Sequence, residues 1–206
     1  AWLHQACAAR VFDPGTVLIA NPSHLTTTRL FTLPSTDSQE IRDIVELQAE
    51  KHTPYAKEEI LTDFRVLDTD QAGYSRVLLI LSHQDIVHRA LRLVEAMGWV
   101  LERVGFELEG LINWSRVAGV QTESAVLLAE LDQETTTLVI LQGDRPYAHR
   151  SLSIGAKQLT EDPVEGPAKQ ISDVQRTLET FDAEGFNLTV AAIVLTGQAS
   201  RFPELK

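Results

Sequence analysis

The residues best suited to chemistry lie in one stretch, Ala125 to Gly155. Glu130, Leu131 and Asp132 close an apolar run, and Gln133, Glu134, Thr135 and Thr136 follow. Asp132 to Thr136 is polar and rich in hydroxyls, as a loop facing a phosphate would be; a solvated turn has the same composition. Further on, Ile193 to Gly197 is an apolar run that ends in a hydroxyl and a glycine. Other chemistries find no foothold. The six histidines, at 4, 24, 52, 83, 88 and 149, include no pair at the i, i+4 spacing of a helical metal site. No Gly-x-Ser-x-Gly, Walker A or Gly-x-Gly-x-x-Gly sequence is present, which removes the common hydrolase, kinase and dinucleotide signatures. Trp2, Trp99 and Trp114 are too scattered for a base-stacking platform and read as core or interface anchors.

The elements that must hold these residues read as strands joined by tight connections. Val126 to Leu131, Thr135 to Gln142 and Tyr147 to Ile154 are three strand candidates, with Gly143-Asp144 as a turn and Gly155 as the close. They form an antiparallel meander. Ala156 to Gly166 reads as a loop and Ala168 to Phe181 as a helix with Ile171, Val174, Leu178 and Phe181 on one stripe. Leu188 to Leu195 reads as a buried strand. A helix is expected to begin at Arg201.

Earlier in the chain, Ala1 to Arg10 reads as the tail of a helix, Asp13-Pro14-Gly15 as a turn and Thr16 to Ala20 as a strand. From Thr26 to Phe106 the pattern predicts strand, helix, strand, strand, helix, strand. The first helix starts at Pro34 to Asp37, buries Ile41, Ile44 and Val45, and stops before Pro54. The second is capped by Ser82 with Asp85 reaching back, and ends at Gly98. This order is that of the ferredoxin-like split βαβ, so Leu25 to Phe106 is expected to form one sheet with both helices on one face. A helix over Glu109 to Ala118 follows.

Composition narrows the function classes. Of 206 residues 44% are apolar and 23% charged, with 18 Lys and Arg against 29 Asp and Glu, a formal charge of −11. That balance disfavours nucleic acid, which needs basic patches, and suits a basic peptide or plain solubility. One cysteine, Cys7, excludes an internal disulfide and points to the cytoplasm. No apolar run reaches the roughly 20 residues of a membrane helix.

Several of these stretches, taken together, resemble the actin-like type IV pilus assembly PilM family and the related GspL cytoplasmic domain. Ile41 to Tyr55 resembles that family's acidic helix running into a Pro-aromatic corner, and Glu58 to Leu67 the strand after it. Tyr74 to Gly98 resembles the following strand, helix and glycine. Arg150 to Gly155 stands at the family's Arg-Ser-x-x-x-Gly, and Ile193 to Gly197 at its adenosine-loop strand. The resemblance implies an α/β, partial actin-like fold with an inserted ferredoxin-like βαββαβ subdomain, as in FtsA-like proteins. Its divisions are 1–24, a remnant of the first lobe whose phosphate-loop segment is missing; 25–106, the insertion; 107–124, a return helix; and 125–206, a reduced second lobe. It also implies a nucleotide site, ATP with Mg²⁺, at Glu130, Asp132, Thr135, Thr136, Gly155 and Gly197.

Departures from the family pattern bear on that site. The second phosphate loop of the family has Asp, an apolar residue, then Gly, where this chain has Glu130, Leu131 and Asp132. The second adenosine-loop glycine is Gln198. Two carboxylates about 4 Å apart repel by roughly 1 kcal/mol in water and several times more near a protein surface. The resulting expectation is a degenerate ATPase, with no catalytic residues, that serves as a scaffold at an inner-membrane platform. A PilN-like or GspM-like membrane protein would dock through a short cytoplasmic peptide, in a groove beside the insertion, with Pro54 and Tyr55 as candidate contacts. The chain would bind neither nucleic acid nor metal, would not enter the membrane itself, and could self-associate. The alternative is an active actin-like ATPase.

Overall fold

The computed structural model describes residues 2–9, 15–120, 123–183, 188–202 and 205. In chain order the elements are α1 (Trp2–Ala9), β1 (Thr16–Asn21), β2 (Thr26–Leu33), α2 (Ser38–Ala49), β3 (Ile60–Thr69), β4 (Ser75–His83), α3 (Gln84–Ala96), β5 (Val100–Phe106), α4 (Glu107–Val117), β6 (Ala125–Leu131), β7 (Thr136–Gln142), β8 (Arg145–Leu152), α5 (Ala156–Glu161), α6 (Glu165–Ala183) and β9 (Val190–Gly197). The expected turn residues Asp13 and Pro14, and most of the expected helix after Arg201, lie outside the described residues. Gln198–Arg201 itself is a 3-10 turn.

Strand β4 organises the middle of the chain because both of its faces are apolar. Val77, Leu79 and Leu81 point to α2, where they meet Ile41, Val45 and Ala49. Leu78 points the other way, into a core shared with Phe106, the α4 residues Leu108, Leu111 and Ile112, and Val126, Leu128, Val139 and Leu141 of β6 and β7. The alternation follows from the two-residue period of a strand, and β4 is central in a sheet ordered β2-β4-β3, antiparallel throughout. Helix α2 begins where the sequence predicts: the Asp37 carboxylate accepts from the backbone N–H groups of Gln39 and Glu40, both at 2.9 Å.

The expected single four-stranded sheet from Leu25 to Phe106 does not form. The order of elements is as expected, but β5 leaves the sheet and pairs in parallel with β1. Helix α3 packs on β5 and β1 as well as on β4, whereas α2 packs on β3 and β4. Residues 25–106 therefore divide between two sheets. The N-cap of α3 also moves one residue: Ser82 belongs to β4, and the His83 ring accepts the Asp85 N–H through Nδ1 at 3.2 Å.

The meander is as read. β6, β7 and β8 are antiparallel neighbours, and β9 joins the far edge parallel to β6, giving the order β8-β7-β6-β9. One face packs on α4; the other, with Leu127, Leu138, Ile140 and Tyr147, packs on Phe181, Val174 and Leu178 of α6. Phe181 is 2% exposed, and burying a side chain of that size stabilises by about 1.5–3 kcal/mol. Two readings change here. Residues 156–166, read as a loop, contain the short helix α5. Strand β9, read as buried, is an edge strand with Ile193 52% exposed, and Ile171 of α6 is likewise exposed.

Candidate functional site

The residues singled out around Asp132 converge on a cleft of about 420 Å³ between the β6-β7-β9 strand ends and α4. Glu130, Asp132, Thr135 and Thr196 form one wall. Pro22, His24, Glu107, Gly110, Leu111 and Trp114 form the other. Glu107 sits in the first turn of α4, where the helix dipole favours an acid, and its Oε2 accepts the Ser23 N–H at 2.6 Å. Ser23 in turn meets His149 Nε2 at 2.9 Å, and His149 Nδ1 meets the Thr28 hydroxyl at 2.8 Å. A run of hydrogen bonds thus ties β2 and β8 to α4.

Glu107 and Glu130 both face the cleft, and two carboxyls brought together there are best accommodated when one of them keeps its proton. Desolvation, the contact with Glu107 and the charge of Asp132 push Glu130 up to about 7. Glu107 moves down, because the hydrogen bonds from Ser23 and Glu130 and the charge of His149 outweigh desolvation. Loss of water around the His149 ring pushes it down to about 4, against the pull of Glu107. The residues beyond Glu130 that build this cluster, Glu107, Ser23 and His149, are missed by sequence reasoning. An acid at the start of a helix and a histidine in a strand carry no pattern that distinguishes them.

The other predicted site residues lie at the edge of the cleft and serve the chain itself. Thr136 is 1% exposed; its hydroxyl donates to the Ile154 carbonyl at 2.6 Å and accepts from Gln170 Nε2 at 3.0 Å. Gly155 is buried under the β6-β7 turn, where a Cβ would lie 2.5 Å from Thr135 N. Gly197, at φ +66, lies against the Leu131 carbonyl, which a Cβ would overlap. The Asp132 N–H donates to the Thr135 carbonyl at 2.9 Å, and the Asp132 carbonyl accepts from Ala156. Gln198 donates to Gln133 at 3.3 Å, tying the two turns together.

This residue set does not fit a magnesium nucleotide. Three carboxyl groups face the cleft and no lysine or arginine lines it. Among the described residues, no group of three or more His, Cys, Asp or Glu side chains is arranged to hold a metal ion. Both glycines are required by neighbouring backbone rather than by an approaching phosphate.

A second feature is apolar. Two adjoining hollows of about 220 and 280 Å³ share Asp63, Ile80, Phe106 and Glu109 and make one groove along β3. Leu61, Ile80, Val87 and Phe106 supply apolar surface. Arg103 and Glu109, paired at 2.9 Å, stand on its wall. β3 is an edge strand, so its outer row of backbone groups is open to a further strand. Pro54 and Tyr55 do not line the groove. Tyr55 packs edge-on to His83 at 4.8 Å, one residue beyond Ser82, which does line it.

The type IV pilus assembly protein PilM family model matches residues 3–166. The chain belongs to that family. A chain of the PilM–PilN type IV pilus biogenesis complex superposes with a TM-score of 0.83 at 18% identity, over 99% of this chain and 68% of that one. The cytoplasmic domain of EpsL, an inner-membrane component of the type II secretion system of Vibrio cholerae, gives 0.51 at 13% identity, over 78% and 59%. At such identities the likeness is one of fold, and it agrees with the α/β, partial actin-like fold expected from the sequence. No curated protein matches the chain. Among the described residues no helix is long and apolar enough to cross a membrane.

Proposed function

We propose that this PilM-family chain is a scaffold at the cytoplasmic face of an inner-membrane pilus or secretion platform, docking a short cytoplasmic peptide of a PilN-like membrane protein. The observation that carries the reading is the superposition of 99% of the chain on a chain of the PilM–PilN complex. The groove along β3 supports it as the docking place. Its apolar floor suits the side chains of an extended peptide, and the open edge of β3 suits its backbone. The overall charge of −11 suits a basic, partly apolar peptide, while the groove itself is balanced, Asp63 and Glu109 standing with Arg65 and Arg103. Charge sets the encounter rate, which falls with salt, more than it chooses the partner.

The active-ATPase reading has the convergence of Asp132, Thr135 and Thr196 in its favour and the uncompensated carboxyls against it. The scaffold reading therefore expects no ATP hydrolysis and no micromolar binding. Calorimetry with the PilN-like N-terminal peptide, and separately with ATP and Mg²⁺, tests both. Peptide binding without nucleotide binding is the expected result. Micromolar ATP affinity would overturn the degenerate-site reading, and no peptide binding would overturn the scaffold.

A further inference from the structure

On the other side of the Ser23–His149–Thr28 hydrogen bonds lies a cleft of opposite character. It runs between the open edge of β2 and the open edge of β8, and two adjoining hollows of about 250 and 300 Å³ share Thr28, Arg29, His149 and Arg150. No carboxylate lines either hollow, in a chain that carries 29 acids. Arg29 and Arg150 come from the two facing strands. Among the described residues neither makes an ion pair with a carboxylate. Each is steadied by a neutral acceptor: Arg29 Nη1 donates to the Thr28 carbonyl at 2.9 Å, and Arg150 Nη1 donates to the Thr177 hydroxyl at 3.4 Å. A guanidinium has five N–H donors, so most remain to be used.

Hydroxyls complete the wall. Ser151 lines the polar hollow beside Ser153, and Ser151 Oγ is buried with no hydrogen-bond partner. The floor is rigid, because both His149 ring nitrogens are already hydrogen-bonded to Thr28 and Ser23.

We propose that the Arg29–Arg150 cleft is a binding site for a phosphoryl oxyanion. Two guanidinium forks and flanking hydroxyls match a group with three terminal oxygens, and arginine binds phosphate in paired hydrogen bonds. A carboxylate, with two oxygens, leaves donors on one wall unused. The site is separate from the groove along β3 and from the acidic cleft, and does not depend on the scaffold reading. The phosphoryl group arrives either on a small soluble anion or on an anionic lipid headgroup.

The test is calorimetry of the full chain with pyrophosphate at low ionic strength, beside flotation with vesicles of phosphatidic acid, a phosphomonoester, in phosphatidylcholine. The site requires binding in at least one of these, and the arm that responds names the source. Binding must weaken by about ten-fold or more in R29Q and in R150Q, the loss expected of a charge-assisted pair, and persist in R176Q, whose arginine lies outside the cleft. R29K, which keeps the charge and loses the fork, falls between. Circular dichroism checks each variant, and R29Q alters an exposed residue. Three results overturn the proposal: no binding in either arm, binding by R29Q or R150Q as strong as the parent's, or competition by acetate as strong as that by inorganic phosphate.

Discussion

The acidic cleft and the groove along β3 both draw residues from α4, yet their polar groups are in opposite conditions. In the cleft, Glu107, Glu130 and Asp132 face one another without a cation, and are best accommodated when one of them keeps its proton. In the groove, Glu109 is paired with Arg103 and the remaining surface is largely apolar. The first arrangement repels a polyphosphate; the second offers apolar area and an open strand edge to a peptide. What each hollow can bind is thus set by the side chains placed on the fold and not by the fold itself.

The sharpest way to break this comparison is Gly155→Ala. If Gly155 exists for phosphate approach, alanine costs little stability. If it exists for the β6-β7 turn, the new Cβ meets Glu134 C and Thr135 N at 2.5 Å, and both are backbone atoms that cannot step aside. The expected loss is about 3 kcal/mol or more, in the range of overpacked cores. Urea denaturation reads it, and a loss below about 1 kcal/mol would return the glycine to a ligand role.

Leu61→Arg comes next and addresses the groove. Leu61 is 44% exposed on an edge strand, so the folded chain should lose no more than about 0.5 kcal/mol. A guanidinium in the groove opposes a basic peptide by bulk and by charge. Affinity for the PilN-like peptide should fall by roughly thirty-fold, the effect of a contact worth about 2 kcal/mol. Unchanged affinity places the peptide elsewhere.

Glu130→Gln sharpens the description of the cleft through pH. With its folded value raised from 4.5 to about 7, Glu130 contributes stability that is fully present below 4.5 and is lost as the pH rises through about 7. Glu107 and His149 have opposite signs. Their folded values are lowered, so their contributions are present above the ordinary values and fade in acid, for His149 as the pH falls from 6.5 through about 4. Glutamine keeps a hydrogen-bonding group beside Glu107 and has no proton to lose. The variant should match the parent near pH 4.5 and exceed it at pH 8 by on the order of 1 kcal/mol, the raised value discounted for partial exposure. Urea titrations at the two pH values check this, and an equal difference at both would dismiss the retained proton.

These tests separate what local sequence carries from what it does not. The meander was legible because three apolar runs and tight turns sit within 30 residues, and α2 because Asp37 caps it locally. The position of β5 was not. Its residues pair as well with a distant strand as with a near one, and only the fold decides that Val100 to Phe106 joins β1. The cap and the closing glycine of α3 gave no sign of which sheet it would cover. Helix α5 is six residues, too short for periodicity, and depends on Gly155 N–H donating to the Gln158 side chain and on backbone bonds to the β6-β7 turn. At the site, Glu130, Asp132 and Thr135 were legible as a polar turn. Their partners Glu107, Ser23 and His149 come from separations of 84 and 126 residues across one run of hydrogen bonds, which no local pattern encodes.

The smallest effect is expected from Tyr55→Ala. In the Pro-aromatic corner a proline fixes the chain and a tyrosine offers an amphipathic ring. Tyr55 is 52% exposed, its ring edge rests on His83, and its N–H is held by the Thr53 hydroxyl at 3.2 Å. Those contacts finish the end of α2 and brace the start of α3 without entering the groove. Losing a half-exposed ring contact should cost about 0.5–1 kcal/mol of stability. Affinity for the PilN-like peptide should change by less than about two-fold, below the cost of a true hot spot. A drop approaching that of Leu61→Arg would extend the docking surface past Ser82 to the corner, and would make the peptide longer than the groove along β3.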